Sequence, residues 1–97
     1  MPVRKNILVK GIVQGVSYRK LTQQVARQYG VNGWVRNVSN GHVEACFVGE
    51  EHSVDAVIAW CACGPEKGKV DELQLLDDAC VCEECSDFII IEDRMAA

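Results

Sequence analysis

A short loop near the N-terminus carries residues that could bind an anion. Residues 14–19 lead from a strand-like pattern into a helix start and contain Gly15, Ser17 and Arg19. The first N–H groups of a helix have no intrahelical acceptor, and the helix dipole places positive charge beside them. The planar guanidinium of Arg19 could hold two phosphate oxygens at once. The loop is therefore a candidate phosphate site, although Ser17 that only caps the helix and Arg19 that only faces solvent would explain the same residues.

A second polar residue, Asn37, lies near the end of the next predicted strand. If that strand runs parallel to the first with a third strand between them, both C-terminal ends emerge at the same edge of the sheet. Two strand spacings, roughly 10 Å, would then separate Asn37 from the loop, enough for one phosphate and one water. An asparagine beside a turn is more often a turn residue, so a chemical role for Asn37 depends on the loop being an anion site.

The elements that would position these residues follow from the hydrophobic pattern. Apolar residues alternate along strand-like segments and recur at helical spacing elsewhere. The predicted strands are Val3–Gly11, Val31–Val38, His42–Val48, Val70–Leu76 and Phe88–Ile91; the predicted helices are residues 18–29 and a segment that begins near Glu50 and stops at Gly64-Pro65. We expect Ser17 as an N-cap, Gly30 just past the first helix, and Asn40-Gly41 as a two-residue hairpin turn.

The order of these elements is β-α-β-β-α-β with a short extra strand. This order predicts an α+β fold of the ferredoxin-like split β-α-β type, in which an antiparallel sheet carries both helices on one face. A chain of 97 residues is long enough for one core and too short for two. We therefore expect a single domain over residues 1–97.

Charge is distributed unevenly along the chain. The net charge is −4, yet residues 1–40 contain seven basic and no acidic residues, which leaves three basic and fourteen acidic residues in 41–97. An acidic protein is a poor candidate for wrapping nucleic acid, whereas a locally basic segment suits a small anionic ligand. The apolar run at the N-terminus is broken by Lys10 and is too short for a secretory leader or a membrane span, so we expect a cytoplasmic protein with no membrane partner.

Two stretches of the chain resemble the signatures of a known family. Residues 11–19, GIVQGVSYR, resemble the phosphate-loop signature of acylphosphatases, G-x-V-Q-G-V-x-[FY]-R. Residues 33–43, GWVRNVSNGHV, are similar to the second signature, G-[FYW]-[AV]-[KR]-N-x3-G-x-V. Position 17 departs from the family pattern, because serine stands where glycine or an aromatic residue is common. The resemblance extends from about residue 4 to about residue 91.

The resemblance implies an activity and the residues that perform it. A small acylphosphatase hydrolyses carboxyl-phosphate anhydrides, and Arg19 would hold the phosphate together with the backbone N–H groups of the loop. The implied phosphate-binding residues are Gly15, Val16, Ser17, Tyr18 and Arg19. Asn37 would orient the attacking water. No metal or cofactor is implied, and we expect a monomer whose ligands are small acyl phosphates and phosphate.

A metal-binding module is one competing interpretation. The chain has six cysteines, and Cys61, Cys63, Cys80, Cys82 and Cys85 could supply thiolates to zinc or a softer metal. The usual paired C-x-x-C spacing is absent, and Cys46 and Cys61 fit small core positions. Without a signal peptide we expect reduced thiols rather than a disulfide framework.

An RNA-binding module is the other competing interpretation, because RNA-recognition domains share this order of elements. Such domains stack bases on aromatic side chains of their central strands. The third predicted strand, HVEACFV, has one aromatic and one acidic residue. The composition therefore argues against a nucleic-acid partner.

Overall fold

The computed structural model describes residues 2–14, 17–39, 41–64, 68–76 and 87–93. Its elements are β1 (Pro2–Ile12), α1 (Tyr18–Gln28), β2 (Asn32–Asn37), β3 (Val43–Glu50), α2 (Glu51–Cys63), β4 (Lys69–Leu76) and β5 (Phe88–Ile90). Each predicted element is present, with ends that differ from the predicted ones by at most two residues. In the described part of the chain, no helix is long and apolar enough to cross a membrane.

The strands form one sheet in the order β4-β1-β3-β2-β5. β3 pairs antiparallel with both β1 and β2, and β4 pairs antiparallel with β1. The ferredoxin-like arrangement is therefore confirmed. The four strands β1 to β4 pair antiparallel with their neighbours, as predicted, whereas the short extra strand β5 pairs parallel to β2 at the edge of the sheet.

The core lies between one face of the sheet and the two helices. Alternate residues of β1, β2 and β3 point to this face, and helix residues at helical spacing meet them. The cluster contains Ile7, Val9, Val35, Val43, Ala45 and Phe47 from the sheet, Tyr18 and Ala26 from α1, and Val54, Val57 and Cys61 from α2. Full burial of each larger apolar side chain contributes roughly 1.5–3 kcal/mol, so this layer is what holds the helices on the sheet.

Tyr18 connects the start of α1 to α2 by a hydrogen bond and a ring contact. Its hydroxyl donates a hydrogen bond of 2.7 Å to the Cys61 carbonyl, and its ring lies 5.6 Å from that of Trp60. Burial, followed by the contact with Cys61, raises the pKa of Tyr18, so the phenol keeps the proton that it donates. The first turn of α1 therefore has a fixed position in the core.

The hairpin between β2 and β3 differs from the predicted turn. The Val38 amide donates to the His42 carbonyl at 2.8 Å, and the Gly41 amide donates to the Val38 carbonyl at 3.0 Å. The paired residues are thus 38 and 42, and the connection has three positions rather than two. Gly41 has φ of 93°, as expected for the residue that follows the turn in a three-residue hairpin. Asn40 lies outside the described residues.

Asp87, directly before β5, forms hydrogen bonds with both α1 and β2. Its carboxylate accepts hydrogen bonds from Arg27 Nε and Nη2 at 3.1 and 2.9 Å, and its carbonyl accepts one from the Gly33 amide at 3.0 Å. The Arg27 hydrogen bonds, with a further one from the Phe88 amide, hold the pKa of Asp87 below its ordinary value. β5 is therefore fixed to both α1 and β2.

Gly33 allows β2 to approach β3. Its φ is +136°, and a Cβ built there would lie 1.9 Å from the Cys46 carbonyl oxygen. Gly30 also has a positive φ, of +71°, but a Cβ there would meet nothing within 4 Å. A side chain at Gly30 would therefore cause backbone strain alone, whereas a side chain at Gly33 would also clash with the backbone of β3.

We expect Gly33→Ala to lower the free energy of unfolding by about 3 kcal/mol or more, because the clash is with backbone and no side chain can move aside. The control Gly30→Ala should cost only about 1 kcal/mol, the strain of a left-handed residue. Urea unfolding followed by circular dichroism measures both. Equal losses in the two variants would contradict the steric explanation.

Candidate active site

A surface cavity of about 350 Å³ opens where α1 begins. Residues from the end of β1, the first turn of α1 and β5 surround it: Val13, Gln14, Ser17, Tyr18, Arg19, Lys20 and Ile90. Three of the five residues expected to bind phosphate, Ser17, Tyr18 and Arg19, are therefore on its wall. The other two, Gly15 and Val16, lie outside the described residues.

Arg19 supplies a cation to the cavity. Its side chain is 37% exposed, and Nη1 lies 3.5 Å from Oδ1 of Asp93. An exposed pair at that distance contributes at most about 1 kcal/mol, so an incoming anion could replace the carboxylate. Lys20 also lines the cavity and is exposed. Its place beside Arg19 adds a second positive charge to the wall of the cavity.

Ser17 occupies the N-cap position of α1, but its side chain does not cap the helix. Its backbone is left-handed, with φ of 61° and ψ of 21°, and the hydroxyl makes no capping hydrogen bond. The Ser17 carbonyl accepts the first helical bond from the Leu21 amide at 3.0 Å. The expectation of a capping serine is therefore wrong in its chemistry, since a typical N-cap has extended backbone that directs its oxygen to the helix N–H groups. Those N–H groups keep their capacity to bind another acceptor.

Asn37 is the last residue of β2 and is paired with Val43 of β3. Val43 belongs to the core cluster, and Asn37 follows Val35 by two residues, so Asn37 lies on the helix-bearing face. Its side-chain Oδ1 is buried and has no hydrogen-bond partner among the described residues. A buried carbonyl oxygen without a donor costs about 1–3 kcal/mol, and a bound water molecule that donates to it would remove this cost. Asn37 is not one of the described residues that line the cavity.

Gln14 connects the two halves of the candidate site. Its side-chain Nε2 donates hydrogen bonds to the Val38 carbonyl at 2.8 Å and to the His42 carbonyl at 2.9 Å. Gln14 is part of the first signature, but neither a role for Gln14 nor the position of Ile90 at the cavity was predicted from the sequence. Both omissions have the same cause: these contacts are made across 24 or more residues of chain, and no local pattern reveals them.

The cysteines in the described part of the chain do not form a metal centre. Cys46 and Cys61 are buried, as predicted, and Cys63 is exposed. Burial raises the pKa of Cys61 to about 12, so Cys61 is a neutral thiol in the core. Among the described residues no group of three or more His, Cys, Asp or Glu side chains could hold a metal ion. Cys80, Cys82 and Cys85 lie outside them.

The open face of the sheet lacks the aromatic platform of an RNA-binding module in the strands described. Phe47, the aromatic residue of β3, is fully buried under the helices, where it stacks on Phe88. Trp34 of β2 is covered by the Arg36 guanidinium at 4.7 Å. Arg36 in turn is bound by Glu44 at 2.7 Å, so its charge is already compensated. These contacts do not favour stacking of bases on the central strands.

Comparison with known proteins identifies relatives along nearly the whole chain. The family model described as Acylphosphatase matches residues 5–90. An acylphosphatase of Geobacter sulfurreducens is 48% identical over 75 residues, which are 77% of this chain and 82% of that protein. One of Syntrophus aciditrophicus is 42% identical over 97 residues, the full length of both. The crystal structure of acylphosphatase from Bacillus subtilis superposes with a TM-score of 0.84 at 28% identity, over 94% of this chain and 99% of that chain.

The left-handed backbone of Ser17 leads to a stability prediction. Ser17→Gly should raise the free energy of unfolding by about 0.5–1 kcal/mol, since glycine relieves the strain of positive φ and gives back part of that gain as unfolded-state entropy. Ser17→Ala should change it by less than about 0.5 kcal/mol, because no capping bond is lost. Thermal unfolding measures both, with about 4–8 °C expected per kcal/mol. A loss of about 1 kcal/mol in Ser17→Ala would show that the hydroxyl caps the helix after all.

Proposed function

The chain belongs to the acylphosphatase family, whose enzymes hydrolyse acyl phosphates, and we propose that Arg19 and the loop of residues 15–19 bind the phosphate while Asn37 orients the attacking water. The observation that carries this assignment is the unpartnered Oδ1 of Asn37, on the same edge of the sheet as the cationic cavity. The two signature segments of the sequence are the ones that meet there.

Phosphate binding by the cavity follows from its charges. The guanidinium of Arg19 can donate two parallel hydrogen bonds to two oxygens of one phosphate, and Lys20 adds a point charge beside it. The first N–H groups of α1 open toward the same loop, and the side chain of Ser17 leaves them available. The phosphate of a bound substrate would therefore lie at the N-terminus of α1.

Water orientation by Asn37 follows from the chemistry of its amide. Oδ1 can only accept hydrogen bonds, and no described residue donates one to it. A water molecule that donates to Oδ1 would have its oxygen lone pair free to attack phosphorus. The family resemblance and the buried acceptor thus support the same role for Asn37.

The reaction needs little more than positioning and charge neutralisation. The water oxygen forms a bond to phosphorus as the bond from phosphorus to the carboxylate oxygen breaks, and a proton of the water passes to a phosphate oxygen. The products are a carboxylate and inorganic phosphate. Because the carboxylate is a good leaving group, Arg19, Lys20 and backbone N–H groups can stabilise the charge on the equatorial oxygens without a metal ion. We therefore propose metal-independent hydrolysis.

The proposal also covers the domain organisation, oligomeric state, location and ligands of the protein. One domain over residues 1–97 acts as a monomer in the cytoplasm on small acyl phosphates, with no nucleic-acid or membrane partner. The net charge of −4 and the pairing of Arg36 with Glu44 on the open face of the sheet argue against a nucleic-acid partner.

We expect Asn37→Ala to retain phosphate affinity and lose turnover, whereas Arg19→Ala should lose both by about 10²–10³-fold or more, because of these two side chains only that of Arg19 contacts the phosphate. Benzoyl phosphate hydrolysis with excess chelator under reducing conditions gives kcat, and inhibition by inorganic phosphate gives Ki. Asn32→Ala, at the opposite end of β2, is the matched control and should behave as the parent. Unchanged phosphate inhibition in Arg19→Ala would remove Arg19 from the phosphate site.

Asp93 should compete with phosphate for Arg19. We expect Asp93→Asn to lower the Ki of inorganic phosphate by about two- to threefold at low ionic strength. The effect is small because the exposed ion pair that phosphate must replace is weak. The effect should vanish at about 1 M salt, where exposed charges are screened. Asp71→Asn, which removes an exposed carboxylate 3.8 Å from Lys69 on β4, is the control. The same Ki for parent and Asp93→Asn at low salt would exclude the competition.

A further inference from the structure

We propose that Gln14 is a positioning residue that sets the distance between the phosphate loop and Asn37. Its side-chain amide ties the end of the segment after β1 to the hairpin that follows β2. This inference rests on the proposed roles of the loop and Asn37, and it adds a structural link between them that neither role requires by itself.

The link uses both donors of one amide group. Nε2 of Gln14 lies 2.8 Å from the Val38 carbonyl oxygen and 2.9 Å from the His42 carbonyl oxygen. Val38 follows Asn37 directly in the chain, and His42 pairs with Val38 across the hairpin. The residue that precedes the phosphate loop is therefore hydrogen-bonded to the backbone immediately after Asn37.

Each of these two carbonyl oxygens also accepts a backbone hydrogen bond. The Gly41 amide donates to Val38 at 3.0 Å, and the Val38 amide donates to His42 at 2.8 Å. A carbonyl has two lone pairs, so Gln14 supplies the second donor to both. The side chain thus spans the final rung of the hairpin and restrains both of its strands at once.

The chemistry of the position favours glutamine. Two carbonyl acceptors require two N–H donors on one atom, and a half-buried site disfavours a charge. The carboxylate of a glutamate would place its oxygens against the two carbonyl oxygens, so that acceptors would face acceptors. Asparagine is one methylene too short to reach both carbonyls. Methionine has the length of glutamine but no hydrogen-bond donor. Orientation of the amide is fixed, because the NH₂ group and not the oxygen must face the two carbonyls.

Asn37 needs such a restraint because no described residue holds its side-chain acceptor in place. Its Oδ1 makes no hydrogen bond to a described residue, so its position depends on the backbone that carries it. Gln14 also lines the cavity, where it precedes the loop that would hold the phosphate. A displacement of about 1 Å between nucleophile and phosphorus can cost about 10²-fold in rate, so a bond that spans this gap bears directly on turnover.

The test compares Gln14→Met and Gln14→Asn with the parent, each also in the Asn37→Ala background. We expect kcat for benzoyl phosphate to fall about 10- to 100-fold in the parent background, while the Ki of inorganic phosphate changes less than about threefold. In the Asn37→Ala background the same substitutions should lower kcat by less than about threefold, because there is no oriented water left to misplace.

Gln23→Met is the matched control. Gln23 lies on α1, is also half-buried, and donates its Nε2 to a backbone carbonyl, that of Phe88, at 2.9 Å. Gln23→Met therefore removes a similar side-chain hydrogen bond and leaves the contacts of the hairpin unchanged. Its kcat should stay within about twofold of that of the parent. Thermal unfolding of every variant separates a loss of stability from a loss of turnover.

The outcomes distinguish the inference from the function on which it rests. If Asn37→Ala keeps the parental kcat, the proposed role of Asn37 is wrong. If Asn37→Ala loses turnover but the Gln14 variants lose the same factor in both backgrounds, or raise the phosphate Ki in step with the fall in kcat, Gln14 does not act through Asn37 and the inference is overturned. A loss confined to the background that contains Asn37 supports it.

Discussion

The placement of β3 between β1 and β2 is the constraint on which the rest of the structure depends. Since β3 pairs antiparallel with both neighbours, β1 and β2 must run parallel and end at the same edge of the sheet. The C-terminal end of β1 and Asn37 at the end of β2 therefore lie at the same edge of the sheet, and Gln14 after β1 is hydrogen-bonded to the Val38 carbonyl, 24 positions further along the chain. The pairing is stabilised by the core on one face, and Gly33 permits the close approach of β2 to β3 that it needs.

The elements could be predicted because their signals are local. A two-residue period identifies β3, and the apolar stripe of α2 is visible in Val54, Val57 and Cys61. Asn37 and Arg19 could be singled out because the resemblance supplied the chemistry that composition alone left open. The parallel pairing of β5 could not be predicted, since it depends on which edge a short strand reaches after a long connection.

The details of the site were less predictable, for a common physical reason. A serine before a helix predicts a cap, yet the backbone of Ser17 is left-handed and its hydroxyl makes no capping hydrogen bond. Likewise, Gln14 carries no local signal for the two carbonyls that it binds 24 and 28 residues later. In both cases tertiary contacts determine the conformation, and local propensity is only a weak prior against them.

The distribution of charge explains how an acidic protein can present a site for an anion. Several acidic side chains are matched to cations outside the cavity: Asp55 lies 2.7 Å from Lys5, Asp87 binds Arg27, and Glu44 binds Arg36. Arg19 instead has, among the described residues, a long contact of 3.5 Å to Asp93, and Lys20 beside it is exposed. Local charge within about a Debye length, roughly 8–10 Å, governs the binding of a small ion more than the net charge does.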